Sequence, residues 1–172
     1  MNRKRILFVD DEVAVLDGLQ DLLRKERRRW DMVFAVGAER ALTELQAAPV
    51  DVIVSDIRMP GMDGATLLIK VKKEYPGTAR VVLSGQADRD AIIRALPVAD
   101  QFLSKPCDAG VLRVAIERMC ALHRLLEDGT IRRAVGALES LPSDTYAARG
   151  EAPSNPDAEL SDLAKIVQSD PQ

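Results

Sequence analysis

Several polar residues stand at or near the ends of short apolar runs in this chain, and their types suit phosphate chemistry. They are Asp10 and Asp11 after 6–9, Asp56 after 50–54, Ser84 after 81–83 and Lys105 after 101–104. If those ends meet, three carboxylates would repel one another, and a divalent cation would relieve the repulsion. Oxygen ligands without His or Cys favour Mg²⁺. Mg²⁺, the Lys105 ammonium and the Ser84 hydroxyl could each hold one phosphoryl oxygen, with the central carboxylate as nucleophile.

An alternation of strand and helix patterns over the first 125 residues predicts a fold that brings these ends together. Short apolar runs predict five strands, at 6–9, 32–36, 50–54, 81–83 and 101–104. Amphipathic segments predict five helices, near 15–29, 38–47, 67–75, 87–96 and 111–126. Such alternation implies parallel strands with right-handed crossovers, a doubly wound α/β sandwich. Ligands of such folds bind beyond the carboxyl ends of the strands, where the polar residues lie.

The composition excludes several classes of function. Hydrophobic residues make up 47% of the 172 residues, which predicts a folded protein, and the net charge of -3 argues against coating nucleic acid or anionic membrane. No apolar stretch approaches the roughly 18 residues of a membrane span, so we expect a cytoplasmic protein. Cys107 and Cys120 are expected to be small buried or idle thiols, and His123 to lie at an exposed helix end.

Each polar residue alone also has an ordinary explanation. Asp10 and Asp11 could cap the helix that follows, because aspartate favours that position. The whole set at the ends of the correct strands is far less readily explained as structural. An aspartyl-nucleophile phosphatase needs a second acid two residues after the first, and Glu12 stands there without the rest of that pattern. A flavin site would require a less acidic first loop.

The segments around these residues resemble the receiver domain of two-component response regulators. They are FVDDE (8–12), SDIRMPGMDG (55–64), VLSG (82–85) and LSKP (103–106). The similarity covers about residues 3–125. It implies a doubly wound five-stranded parallel sheet of flavodoxin-like order 2-1-3-4-5, followed here by a C-terminal helical extension. It also implies a protein that catalyses only its own phosphorylation and dephosphorylation.

The resemblance assigns a role to each site residue. Asp56 would be the phosphoacceptor, and Asp10, Asp11 and Asp56 would hold Mg²⁺ with the backbone carbonyl of Arg58. Lys105 would bind the phosphoryl group. The donor would be a histidine kinase or a phosphotransfer protein.

Three further positions have implied roles in switching. Ser84 would be the switch hydroxyl and Phe102 the rotating aromatic, although ordinary core packing explains Phe102 equally well. The Lys105–Pro106 peptide bond would be cis. Arg58 and Gln86 flank the site and are expected to tune the phosphoryl lifetime.

The chain continues beyond the receiver-like part. Apolar spacing predicts a connecting helix over 126–141, which could pair with a second copy of the chain. Residues 139–172 carry seven acids against Arg149 and Lys165, which argues against direct nucleic acid binding. Segments 138–142, 155–167 and 170–171 resemble the start of an HDOD domain, an all-helical regulatory module. Residues 142–172 would then begin an output domain that controls a downstream protein, and the alternative is a stand-alone adaptor dimerising through 110–141.

Overall fold

The computed structural model describes residues 3–85 and 89–127, with side chains as far as residue 122. Within these residues, five strands alternate with five helices, and a short 3₁₀ helix follows the first helix. The strands are β1 (Lys4–Asp10), β2 (Trp30–Val36), β3 (Val52–Asp56), β4 (Ala79–Ser84) and β5 (Gln101–Ser104). The helices are α1 (Val13–Leu22), α2 (Gly37–Ala47), α3 (Gly64–Glu74), α4 (Arg89–Ala95) and α5 (Ala109–Glu127).

The strands form one parallel sheet in the order β2-β1-β3-β4-β5. This confirms the predicted doubly wound α/β fold and its strand order. Because every strand runs in the same direction, all five carboxyl ends lie along one edge of the sheet.

Alternating side chains of the strands supply two separate cores. Leu7, Ile53 and Val82 point to the face covered by α2, α3 and α4. Their neighbours Phe8, Val54 and Leu83 point to the face covered by α1 and α5. The central strands are buried on both faces, which explains why they appear in the sequence as continuous apolar runs.

Two details of the predicted helices are wrong. The first helix ends at Leu22, and the basic residues Arg24–Arg28 form a separate 3₁₀ helix instead of its last turn. On α5, Val111 and Leu122 are exposed although their spacing placed them on the apolar face. Among the α5 side chains up to residue 122, the buried ones are Leu112, Ala115, Ile116, Met119 and Cys120.

Some predictions concern parts of the chain that the structure does not describe. Gln86, the side chain of His123 and the whole of 128–172 lie outside the described residues.

Neither Cys107 nor Cys120 is in a disulfide, and Cys120 is buried. Within residues 3–85 and 89–127, no helix is long and apolar enough to cross a membrane.

The packing of α5 leads to a matched stability prediction. Ile116 is fully buried under the sheet, whereas Val114 on the same helix is 56% exposed. We expect Ile116→Ala to lower the free energy of unfolding by about 2–5 kcal/mol because it leaves a cavity. Val114→Ala should change it by less than about 0.5 kcal/mol. Urea denaturation measures both, and equal effects would contradict the burial assigned to α5.

Candidate functional site

The residues predicted to do chemistry stand at the carboxyl edge of the sheet. Asp10, Asp56 and Ser84 are the last residues of β1, β3 and β4, and Lys105 directly follows β5. Asp11 comes one residue after β1 and is partly exposed. Each of these five residues ends or follows a strand, so the parallel sheet brings all of them to the same edge.

The ammonium group of Lys105 bridges two buried carboxylates. Its Nζ lies 2.5 Å from Oδ1 of Asp56 and 2.9 Å from Oδ2 of Asp10. Asp10 is 2% exposed and Asp56 is 6% exposed. Burying either carboxylate alone would be costly, and the shared cation offsets part of that cost.

Burial has opposite effects on the pKa values of Asp56 and Lys105. Burial raises the pKa of the Asp56 carboxyl above its usual value, and the negative charge of Asp10 adds to the effect. Lys105 opposes this rise without cancelling it. Burial alone would lower the pKa of Lys105, but its hydrogen bonds to Asp56 and Asp10 outweigh burial and raise it. Lys105 is therefore held firmly in its charged form beside Asp56.

Backbone N–H groups hold the remaining carboxylate oxygens. The Arg58 N–H donates to Oδ2 of Asp56 at 2.9 Å, and the Glu12 N–H donates to Oδ1 of Asp10 at 3.0 Å. Helix α1 starts after Glu12 and has no side-chain cap. Asp10 therefore orders the loop before α1 rather than capping the helix, and it keeps one oxygen directed at Lys105.

The switch candidates lie on one face of the sheet. Ser84 is buried at the end of β4, and Phe102 stands opposite Val82 on β5. Side chains alternate along a strand, so Ser84 shares the face of Val82 and Phe102, which α4 covers. Phe102 is partly buried against that core. The Lys105–Pro106 peptide bond is cis, as predicted.

A tight approach at Gly64 fixes the loop after Asp56. The first residue of α3, Gly64, donates its N–H to the Ile57 carbonyl at 3.0 Å. A Cβ at Gly64 would lie 2.0 Å from the Asp56 carbonyl oxygen. The same loop turns at Gly61, where φ is +75°, a conformation that favours glycine. Gly64 therefore lets α3 begin directly against Asp56, and Gly61 allows the turn in the loop between them.

The donor set suits Mg²⁺ in chemistry and in charge. Asp10, Asp11 and Asp56 offer only oxygen ligands, and with Lys105 they leave a net charge that one divalent cation balances. Among the residues described, no three acidic, His or Cys side chains are gathered closely enough to hold a metal ion. Lys105 instead occupies the space between Asp10 and Asp56. The magnesium site stays a prediction.

Sequence reasoning missed one interaction of this loop. The side chain of Asp63 caps α3 by accepting from the Thr66 N–H at 2.8 Å, and its other oxygen accepts from Arg94 on α4. An aspartate just before an apolar periodic run is a cap signal. Nothing local to Asp63 indicates that Arg94 is its partner.

A family model for the response regulator receiver domain matches residues 6–117. The chain belongs to the receiver domain family. This receiver is 30% identical over 123 residues to the Bacillus subtilis (strain 168) uncharacterized transcriptional regulatory protein YbdJ, covering 72% of this chain and 53% of that relative. It is 34% identical over 119 residues to the DNA-binding transcriptional regulator NtrC of Escherichia coli (strain K12), covering 69% of this chain and 25% of NtrC.

A solved structure has the same fold as this receiver. The signal receiver domain of an HD domain-containing protein from Pseudomonas fluorescens Pf-5 is 34% identical, with a TM-score of 0.68. The match covers 72% of this chain and 98% of that chain. By contrast, the chain spans about half or less of the length of the curated relatives given above.

Gly64 allows a direct test of the close approach at Asp56. We expect Gly64→Ala to lower the free energy of unfolding by about 1–3 kcal/mol, because the new Cβ overlaps the Asp56 carbonyl. Gly18→Ala is the matched control, since a Cβ at Gly18 in α1 meets nothing within 4 Å. That change should stabilise the protein by about 0.5–1 kcal/mol. Urea unfolding distinguishes the two, and stabilisation by Gly64→Ala would contradict the geometry.

The lowered pKa of Asp63 leads to a prediction of how the stability of the protein depends on pH. Burial alone would raise the pKa of Asp63, but hydrogen bonds from Arg94 and Thr66 outweigh it and hold the pKa below the usual 3.8. A lowered folded-state pKa contributes stability that is present above 3.8 and is lost as the pH falls through the folded value. The exposed pair should contribute about 0.2–1 kcal/mol at neutral pH.

Asp63→Asn isolates this contribution, because asparagine also caps helices. The wild type should be more stable than Asp63→Asn at neutral pH, and the difference should vanish below the folded pKa. Urea midpoints of both proteins across this range provide the measurement. A difference that persists unchanged in acid would show that the charge of Asp63 is not its source.

Proposed function

We propose that this receiver accepts a phosphoryl group on Asp56 from a phosphohistidine of a histidine kinase or phosphotransfer protein. The observation that carries the proposal is the buried Asp56 carboxylate paired with Lys105 at the carboxyl edge of the sheet. A buried carboxylate with a fixed ammonium beside it suits both nucleophilic attack and retention of the product. Membership of the receiver family supports the same role.

In the proposed transfer, one bond forms and one bond breaks. A carboxylate oxygen of Asp56 bonds to phosphorus while the P–N bond of the phosphohistidine breaks, and its electron pair goes to the imidazole nitrogen. The Arg58 N–H and Lys105 orient the two oxygens of Asp56 before the reaction. Lys105, which contacts Asp56, would then neutralise an oxygen of the transferred phosphoryl group.

We also propose that Mg²⁺ binds at this site. Asp10, Asp11, Asp56 and the Arg58 carbonyl would hold the ion. When bound, it would neutralise charge on the phosphoryl oxygens and on the cluster of carboxylates. Lys105 would then give up its contact with Asp10 and keep the one with Asp56.

The switch proposal concerns the face of the sheet under α4. Ser84 would turn toward the phosphoryl group, and Phe102 would pack into the space behind it. Because these residues share the face of β4 and β5 that α4 covers, their movement would shift α4 and so change the surface that α4 forms with β5 and α5. That surface would pass the signal to an output.

The output that we propose is an HDOD-type module reached through residues 126–141. The solved receiver from Pseudomonas fluorescens, which belongs to an HD domain-containing protein, supports a partner of this broad kind. A second candidate is a stand-alone adaptor that dimerises through 110–141. The exposed Val111, Val114 and Leu122 on α5 favour it, because they could pack against a second copy.

Incubation with a small phosphodonor tests the central step. We expect the wild type to gain one phosphoryl group by intact mass when Mg²⁺ is present, and to gain none after chelation of the metal. Asp56→Asn should gain none. Asp51→Asn is the matched control, because Asp51 also pairs with a lysine, Lys4, but precedes β3 at the other edge of the sheet. It should be labelled like the wild type.

Two results would contradict the role of Asp56, and a third would contradict the role of Mg²⁺. Equal labelling of Asp56→Asn and the wild type would place the phosphoryl group elsewhere. An unlabelled wild type in the presence of Mg²⁺ would remove the phosphoacceptor role. Labelling that survives chelation would remove Mg²⁺ from the mechanism and leave Asp56 in place.

A further inference from the structure

Helix α4 is weakly attached along most of its length. Of its seven residues only Ala95 is fully buried, and Ile93 is 56% exposed. A groove of about 560 Å³ separates α4 from the loop after Asp56, with Met59, Pro60 and Ala91 in its walls. An element with so few buried side chains opens at a low free energy cost.

The segment that follows α4 is, in contrast, firmly anchored. The Arg80 side chain on β4 donates to the Val98 carbonyl at 2.6 Å and to Oδ1 of Asp100 at 2.9 Å. Lys72 on α3 donates to the Pro97 carbonyl at 2.6 Å. These bonds fix the chain just beyond the last turn of α4, so they leave the contact between the helix and the loop after Asp56 as a separate attachment.

An ion pair crosses the groove. Arg94 of α4 donates through Nη2 to Oδ2 of Asp63, whose other oxygen caps α3. Asp63 directly precedes Gly64, and Gly64 packs against the backbone of Asp56 so closely that a Cβ would not fit. A shift of the loop at Asp56 must therefore move Asp63, and Asp63 is bonded to α4.

We propose that the Asp63–Arg94 ion pair is a latch that couples the position of α4 to the state of Asp56. This inference rests on the proposed phosphoacceptor role of Asp56 and names a route by which phosphorylation reaches α4. Arg94 acts through Asp63, so it is a positioning residue. With the latch closed, α4 keeps the position seen in the structure, and opening it separates the helix from the loop after Asp56.

Hydrogen exchange of the peptide 89–96 tests the latch without a phosphodonor. We expect Arg94→Gln and Asp63→Asn each to speed exchange about threefold, as suits an exposed ion pair. The double variant should be no faster than either single variant, because both remove the same interaction. Arg94→Lys should retain slow exchange. Arg113→Gln is the matched control, since Arg113 pairs with Glu117 within α5.

Phosphorylation supplies the second arm of the experiment. Treatment with a small phosphodonor and Mg²⁺ should change exchange of 89–96 in the wild type and change it much less in Arg94→Gln. A wild type that gains no phosphoryl group would contradict the proposed function of Asp56. Because the first arm uses unphosphorylated protein, its variants would still decide whether the Asp63–Arg94 ion pair holds α4.

Three outcomes would contradict the proposed latch. Unchanged exchange of 89–96 in Arg94→Gln would show that the ion pair does not hold the helix. Single effects that multiply to about ninefold in the double variant would show that Asp63 and Arg94 act independently. An equal response to phosphorylation in the wild type and Arg94→Gln would show that the pair is structural and transmits nothing.

Discussion

The site depends on one ammonium group placed between two buried carboxylates. Lys105 contacts both Asp10 and Asp56, which belong to neighbouring strands and are almost without solvent exposure. Two such carboxylates would otherwise repel each other and lose hydration, at a cost of several kcal/mol per ion. Burial raises the pKa of Asp56 more than Lys105 lowers it. A carboxylate left under-compensated is well suited to combine with an electrophilic phosphorus atom.

The rest of the fold maintains this arrangement. Side chains of the central strands fill both faces of the sheet, so the strand ends cannot shift independently. Gly64 lets α3 begin directly against Asp56, and the Arg58 N–H holds the second carboxylate oxygen. In the proposed latch, the same close packing would carry a change at Asp56 to Asp63, which directly precedes α3. The proposed latch depends on two features, the close packing around Asp56 and the small number of buried side chains on α4.

Much of this could be predicted from sequence, because a parallel sheet turns strand ends into neighbours. Asp10, Asp56, Ser84 and Lys105 were identifiable from the apolar runs before them, and the matching segments implied the strand order. The partner of Asp63 was not identifiable, since Arg94 lies 31 residues away and the contact depends on the spacing of α3 and α4. The buried face of α5 was also misjudged. That helix is apolar on more than one side, so packing on the sheet, rather than periodicity, decides that Leu112 is buried and Val111 is not.

The central claim is that Asp56 becomes an acyl phosphate, and chemical trapping tests it most directly. Borohydride reduces an acyl phosphate of aspartate to homoserine and leaves free carboxylates unchanged. After treatment of the protein with a phosphodonor and Mg²⁺, peptide sequencing should find homoserine at position 56 and aspartate at positions 10, 11 and 51. Homoserine at any of those other positions, or aspartate retained at 56 in phosphorylated protein, would contradict the account.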